Sequence, residues 1–101
     1  MNTKHYTNDR SNREELIKRI GEGTVVKAFI VDRHHKNGKE VHMITDNGII
    51  IIYNYVTKKL ITKLIARPNQ IRRYYEGVGK EAPTDIIAKA YEHQKLGYNK
   101  C

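Results

Sequence analysis

Cysteine and large apolar aromatic residues are scarce in this chain of 101 residues, which has one Cys, one Phe and no Trp. Because the single thiol belongs to the last residue, Cys101, we expect no internal disulfide and no thiolate metal site, and a reducing, cytoplasmic setting is favoured. The first fifteen residues are polar, and the longest apolar run, Ile49 to Tyr53, is too short to span a bilayer. The sequence therefore predicts a soluble protein with no signal peptide and no membrane partner.

Acidic residues are also few relative to basic ones. The chain has 11 Asp and Glu against 19 Lys and Arg, which gives a formal net charge of +8 and a pI near 9.7. An excess of this size points to an anionic partner, most often nucleic acid and less often an acidic protein or a membrane surface. The length corresponds to one domain with one hydrophobic core.

The residue pattern predicts a helix followed by four strands. Ser11 and Glu14 have capping-box spacing, and apolar residues at helical spacing continue to Ile20, just before Gly21. Asn-Gly turns and one short loop separate the strands, which indicates an antiparallel meander. The third strand is apolar on both faces, as a strand covered on two sides would be. The strands are predicted over residues 24–33, 39–45, 48–55 and 59–67.

A second helical region follows the strands. Pro68 ends the fourth strand, and a helical turn continues from it as far as Gly77. Thr84 then begins a helix that ends near Leu96. Its predicted buried stripe consists of Ile86, Ile87, Ala90 and Tyr91.

These elements predict an α+β domain with a short N-terminal helix, a four-stranded antiparallel meander sheet and a C-terminal helix. We expect the helices to lie on one face of the sheet. The predicted organisation is a single domain over residues 1–101. It comprises a flexible N-terminal segment over 1–10, a helix and sheet core over 11–77, and the C-terminal helix over 82–97.

Positive charge is concentrated in residues 56–80, which hold seven Lys and Arg and one acidic residue, Glu76. By the two-residue period of a strand, Lys63 and Arg67 share a face, and the next arginines extend it into a contiguous basic ridge. Such cations contact phosphates, and Tyr74 and Tyr75 beside them can stack on unpaired bases. The alternative is a solvated face with the tyrosines in the core. The residues predicted to bind RNA or another nucleic acid are Arg10, Arg13, Lys58, Lys59, Lys63, Arg67, Arg72, Arg73 and Tyr75.

The five histidines form a second group of candidates, because histidine suits proton transfer near neutral pH. His34 and His35 fall in a predicted hairpin turn, where exposed histidines are common. His42 lies in a strand and is at least partly enclosed, and His5 precedes the first helix. Carboxylates with metal-ligand spacing are missing, so we expect no metal and no other cofactor.

This metal-free set of histidine, arginine, lysine, threonine and tyrosine suits cleavage of RNA through its own 2′-hydroxyl. One group accepts that proton, another protonates the leaving oxygen, and cations stabilise the charge that builds on the phosphate. Because the RNA supplies the nucleophile, no serine or cysteine motif is required. His5 and His42 are the candidates for proton transfer.

The segment "KHYTNDRSNREELIKRI" resembles the histidine-then-arginine approach to the first helix in small barnase–EndoU–colicin–RelE-like ribonuclease toxins. The four-stranded meander with "KLIT" near its last strand is similar to the sheet of that family, and the composition is similar to small bacteriophage and prophage proteins. The resemblance implies a metal-independent endoribonuclease with an acidic partner such as an antitoxin. It assigns proton transfer to His5 and substrate positioning or phosphate binding to Thr62. The other matching positions are Arg10 or Arg13, Arg67 and Tyr74.

Three functions remain open at this point. The first is an RNA-directed protein that acts as a metal-independent endoribonuclease. The second is a noncatalytic nucleic-acid-binding accessory protein of a phage or mobile element. The third is an interaction protein whose basic surface docks an acidic host protein. The sequence leaves the oligomeric state open.

Overall fold

The computed structural model describes residues 10–33 and 38–96, and the side chains of residues 13–32 and 38–96. The four strands pair antiparallel in the order β1-β2-β3-β4. The predicted α+β meander with an N-terminal and a C-terminal helix is confirmed. No helix in the described ranges has the length and apolar character needed to cross a membrane. The elements are α1 (Arg10–Ile20), β1 (Val25–Arg33), β2 (Gly38–Thr45), β3 (Ile49–Asn54), β4 (Leu60–Ile65), α2 (Pro68–Glu76) and α3 (Thr84–Lys95).

The helices lie on both faces of the sheet, so the predicted placement on one face is wrong. Ile17 of α1 packs with Ile49, Ile51 and Ile65 in one core cluster. The core on the other face joins the sheet to α2 and α3. Successive side chains of a strand point to opposite faces, so the four buried isoleucines of β3 supply both cores and both faces need a cover. The core residues of the α2 and α3 face are Phe29, Ile44, Ile50, Ile52, Ala66, Ile71, Tyr75, Ile86 and Ala90.

The turn between β2 and β3 holds the C-terminal end of α1 against the sheet. The side-chain amide of Asn47 donates to the carbonyls of Ile20 and Gly21 at 3.0 and 2.6 Å, so it satisfies acceptors at the end of α1. The Thr24 amide donates to the neighbouring Asp46 carboxylate at 2.9 Å. These bonds join α1, the start of β1 and the β2–β3 turn into one unit.

The buried stripe of α3 differs from the predicted one. Ile86 and Ala90 are buried as predicted, but Tyr91 is 49% exposed and His93 is buried instead. Positions 86, 90 and 93 follow the helical repeat, which turns Tyr91 away from the sheet. The His93 Nε2–H donates to the Asn47 carbonyl at 2.9 Å, so this stripe anchors α3 to the β2–β3 turn.

Candidate functional site

A buried hydrogen-bonded network joins β2 to α2. Glu40 and His42 are two residues apart in β2, so their side chains share the face that α2 covers. His42 Nε2 lies 2.8 Å from Glu40 Oε1, and His42 Nδ1 is hydrogen bonded to the Tyr74 hydroxyl of α2. The exposed fractions are 1% for His42 and 5% for Glu40, whereas Tyr74 is half-buried. Tyr74 is therefore the member of this network that reaches the surface.

The order of the three groups is carboxylate, imidazole and hydroxyl. An ionised Glu40 carboxylate only accepts hydrogen bonds, so the Nε2–H of His42 is the donor in that contact. In the neutral imidazole the Nδ1 atom then accepts from the Tyr74 O–H. This order resembles the arrangement that activates a hydroxyl group for proton transfer, with the acid orienting the base. The same bonds also hold α2 on the sheet.

His42 is buried too deeply to contact a substrate in this conformation, although the sequence predicted it as a proton-transfer residue. Among the three residues of the network Tyr74 has the most exposed surface, and His42 lies behind it. Glu40 was not singled out in the sequence, even though the spacing "EVH" places an acid and a histidine on the same face of a strand. This two-residue spacing in a strand is the sequence feature that indicates a contact between Glu40 and His42.

A cationic surface lies on α2 and α3, outside this network. We call it the α2–α3 surface and define it as Arg67, Arg72, Arg73 and Tyr91. The Arg72 guanidinium donates to Asn69 Oδ1 at 2.9 Å and lies 5.9 Å from the centre of the exposed Tyr91 ring. Arg67 and Arg73 are exposed. The Arg72 guanidinium is thus held in place beside an accessible aromatic ring.

The contiguous basic ridge predicted from Lys63 to Arg73 is wrong. β4 ends at Ile65, so Arg67 lies outside the strand and immediately before α2. Lys63 pairs with Ile51 on the face that α1 covers, and its ammonium forms an ion pair with Glu22 at 2.5 Å. The hydrogen bond that the Lys63 ammonium donates to the Glu22 carboxylate is the main cause of the raised pKa of Lys63. The chain thus crosses to the other face of the sheet between Lys63 and α2.

Arg13 and Thr62, both implied by the toxin resemblance, lie in contact. Arg13 Nη2 donates to the Thr62 hydroxyl at 3.1 Å, and its Nε donates to the Lys63 carbonyl at 3.0 Å. Thr62 pairs with Ile52, which in turn pairs with His42. Thr62 and His42 therefore occupy strands that lie roughly 10 Å apart. The structure brings Arg13 to Thr62 and Tyr74 to His42 as two separate pairs.

Tyr75 lies in the core. It is 6% exposed, and its ring contacts that of Phe29 edge-on with centroids 5.3 Å apart. Burial raises the pKa of the Tyr75 hydroxyl. The base-stacking role predicted for Tyr75 is incompatible with this position, because helical periodicity turns it inward while Tyr74 remains half-exposed. Lys58 and Lys59 are exposed in the β3–β4 loop.

Several candidate residues lie outside the description of the structure. His5, His34, His35 and Cys101 are outside the described residues, and Arg10 begins α1 with its side chain outside the description. The roles assigned to His5 and Arg10 stay predictions. Among the residues that are described, no group of three or more His, Cys, Asp or Glu side chains could hold a metal ion.

Comparisons with protein-family models, curated proteins and solved structures found no match to this chain.

Proposed function

We propose that the protein binds RNA through the α2–α3 surface. The observation that carries this proposal is the Arg72 guanidinium, which is held by Asn69 beside the exposed Tyr91 ring. A guanidinium can bond two phosphate oxygens at once, and an exposed ring can stack on an unpaired base. Arg73 follows Arg72 on α2 and Arg67 immediately precedes that helix, and both are exposed and add positive charge close to Arg72 in the chain. The net charge of +8 supplies long-range attraction to the RNA backbone.

The variant Arg72→Gln/Arg73→Gln tests this surface. We expect its affinity for a short single-stranded RNA at low salt to fall about tenfold, because two phosphate contacts are lost. The slope of log affinity against log salt should become shallower by about 1.4, at roughly 0.7 for each contact with a single strand. Fluorescence anisotropy over a salt series measures both quantities.

The matched control removes the same charge from the opposite side of the sheet. Lys18 and Arg19 are exposed on α1, which covers the other face. The variant Lys18→Gln/Arg19→Gln should keep most of the affinity. An equal loss in both double variants would show that total charge matters rather than this surface. A flat salt response of the unmodified protein would contradict phosphate binding itself.

The second candidate function is metal-independent cleavage of RNA, and the Glu40–His42–Tyr74 network favours it. In this scheme the 2′-oxygen attacks the adjacent phosphorus while Tyr74 accepts the 2′-hydroxyl proton and passes its own proton to His42 Nδ1. The resulting imidazolium is stabilised by the Glu40 carboxylate. The bond from phosphorus to the 5′-oxygen breaks, and that oxygen takes a proton from solvent. The products are a 2′,3′-cyclic phosphate and a 5′-hydroxyl.

The cleavage proposal is tested by incubating the protein with RNA in EDTA. Tyr74→Phe removes the hydroxyl that moves the proton, so we expect cleavage to fall about 100-fold while RNA affinity stays the same. Tyr75→Phe removes the adjacent hydroxyl, which lies outside the network, and is the matched control. Mass spectrometry of the products identifies the cyclic phosphate. RNA that stays intact with the correctly folded unmodified protein would contradict catalysis and leave the binding proposal standing.

An acidic protein partner is the remaining alternative, whether as an antitoxin or as a host factor bound by a phage accessory protein. The same cationic α2–α3 surface would dock it, since arginine bonds carboxylates as it bonds phosphates. Nuclease treatment separates an acidic protein partner from an RNA partner. An acidic protein stays bound after nuclease treatment, whereas binding to RNA is lost.

A further inference from the structure

The loop between β3 and β4 carries a second aromatic ring with cations beside it. Tyr55 is 39% exposed, with the Lys58 Nζ at 4.9 Å and the Lys39 Nζ at 5.9 Å from its ring centre. The Tyr55 amide donates to the Lys39 carbonyl at 3.0 Å, which ties the loop to β2. Lys59, the next residue after Lys58, is also exposed, and its carbonyl accepts from the Asn54 amide at 2.9 Å. Sequence reasoning selected the two loop lysines but not Tyr55 or Lys39.

The loop is held in shape by its own hydrogen bonds. The Asn54 side-chain oxygen accepts from the amides of Val56 and Thr57, both at 2.9 Å. The Asn54 carbonyl accepts from the Lys58 amide, also at 2.9 Å. A loop that is already ordered loses little conformational freedom when it binds a ligand. The ring and its lysines are therefore presented in a preset arrangement.

Lys58 adopts an unfavourable backbone conformation in this loop. Its φ is 64°, and no other non-glycine residue in the described ranges has a positive φ. A side chain with a Cβ atom adopts this region less readily than glycine does. Strained positions of this kind concentrate at functional sites. Here the residue with the positive φ, Lys58, is the one whose ammonium lies over the Tyr55 ring.

We infer that Tyr55, Lys39, Lys58 and Lys59 form a second contact site for single-stranded nucleic acid, and this inference rests on the proposed RNA binding. An unpaired base stacks on the exposed Tyr55 ring, and the phosphates on either side of that base lie near the ammonium groups. Asp32 lies opposite Lys39 in the β1–β2 register, and its negative charge offsets part of the attraction of Lys39 for phosphate. Lys58 and Lys59 therefore take the larger share of the phosphate contacts.

The loop site and the α2–α3 surface contact different nucleotides. Lys39 alternates with Glu40 along β2, so it lies on the α1 side of the sheet, whereas Arg72 lies on the opposite side. Sites that share no partner change binding free energy independently. When variants at the two sites are combined, the factors by which each one lowers RNA affinity should therefore multiply.

The inference is tested with Tyr55→Ala and Tyr55→Phe. For a short single-stranded RNA we expect Tyr55→Ala to bind about tenfold more weakly than the unmodified protein, because one stacking contact is lost. Tyr55→Phe keeps a ring and should bind like the unmodified protein. The same strand with abasic residues keeps its phosphates but has no base to stack, so Tyr55→Ala and the unmodified protein should bind it equally.

A charge variant provides an independent measurement. Lys58→Gly removes the ammonium while glycine accepts the positive φ readily, so the loop keeps its shape. It should lower RNA affinity and make the salt slope shallower by about 0.7. Thermal unfolding of each variant verifies that the fold is intact, and Lys58→Gly decides the question if Tyr55→Ala does not fold.

The possible outcomes separate this inference from the proposed function. Failure of the unmodified protein to bind RNA at low salt would overturn both. If Arg72→Gln/Arg73→Gln weakens binding but Tyr55→Ala and Lys58→Gly bind like the unmodified protein, the loop site alone is overturned. A Tyr55→Ala defect of equal size on the abasic strand would also overturn it, because the ring would then not be stacking on a base.

Discussion

His42→Leu is expected to lower the free energy of unfolding by about 3 kcal/mol, because it removes one member of a buried polar network. His42 is hydrogen bonded to the buried Glu40 carboxylate and to the Tyr74 hydroxyl. Leucine can form neither bond, so the carboxylate loses its imidazole partner in a region with little access to water. The loss is a large fraction of the roughly 5–15 kcal/mol that stabilises a typical domain. Urea unfolding followed by circular dichroism measures it.

A triple variant separates the packing of this network from its polarity. Glu40→Leu/His42→Leu/Tyr74→Phe leaves no member of the network that needs a partner, so we expect it to be clearly more stable than His42→Leu alone. A triple variant less stable than His42→Leu would contradict this account. If the triple variant recovers stability and yet fails to cleave RNA that the unmodified protein cleaves, the polar groups of the network are needed for the chemistry and apolar residues can replace them in packing α2 on the sheet.

Gly23→Ala is expected to destabilise the fold by about 3 kcal/mol, through a steric clash added to backbone strain. Gly23 has a φ of +85°, and a Cβ at this position would lie 2.5 Å from Asp46 Oδ1 and 2.8 Å from the Asn47 Cβ. Both residues belong to the turn that bonds to Thr24 and to the end of α1. Displacing the turn would therefore loosen α1 from the sheet.

Gly79→Ala is the matched control for this clash. Gly79 also has a positive φ, +71°, but a Cβ there meets nothing within 4 Å. Gly79→Ala should therefore lower the free energy of unfolding by only about 1 kcal/mol, which is the cost of placing alanine at a positive φ. Chemical denaturation measures the free energy of unfolding of both variants, and the difference between them is the cost of the steric clash at Gly23. Equal losses at the two positions would contradict the proposed contact with the β2–β3 turn.

Most of the secondary structure could be predicted because its signals are local. Alternation of apolar residues, Asn-Gly pairs, Pro68 and glycines after helical stripes act over a few residues, and the predicted elements follow them closely. The placement of α1 was missed because pairing its stripe with one face of β3 is a long-range choice. The run of four isoleucines in β3 nevertheless contained that information, since each face receives two of them.

The candidate site was predictable only in part. Tyr74, His42 and the basic residues of α2 were selected from residue type and charge density, which are read directly from the sequence. Which of two adjacent tyrosines reaches the surface depends on the rotation of α2 against Phe29, and only packing sets that rotation. The exposure of Tyr91 has the same origin, because His93 occupies the buried position on α3.

The sequence by itself determined the order of elements, the antiparallel meander, the excess of positive charge and the residue types able to move a proton. Only the tertiary structure decided which of these residues meet. It placed Glu40 and His42 of β2 under Tyr74 of α2, paired Lys63 with Glu22 rather than leaving it in a ridge, and brought Lys39 to Tyr55. The physical reason is that such contacts join residues far apart in the chain, and they follow from strand register and helix packing, which local residue patterns do not specify.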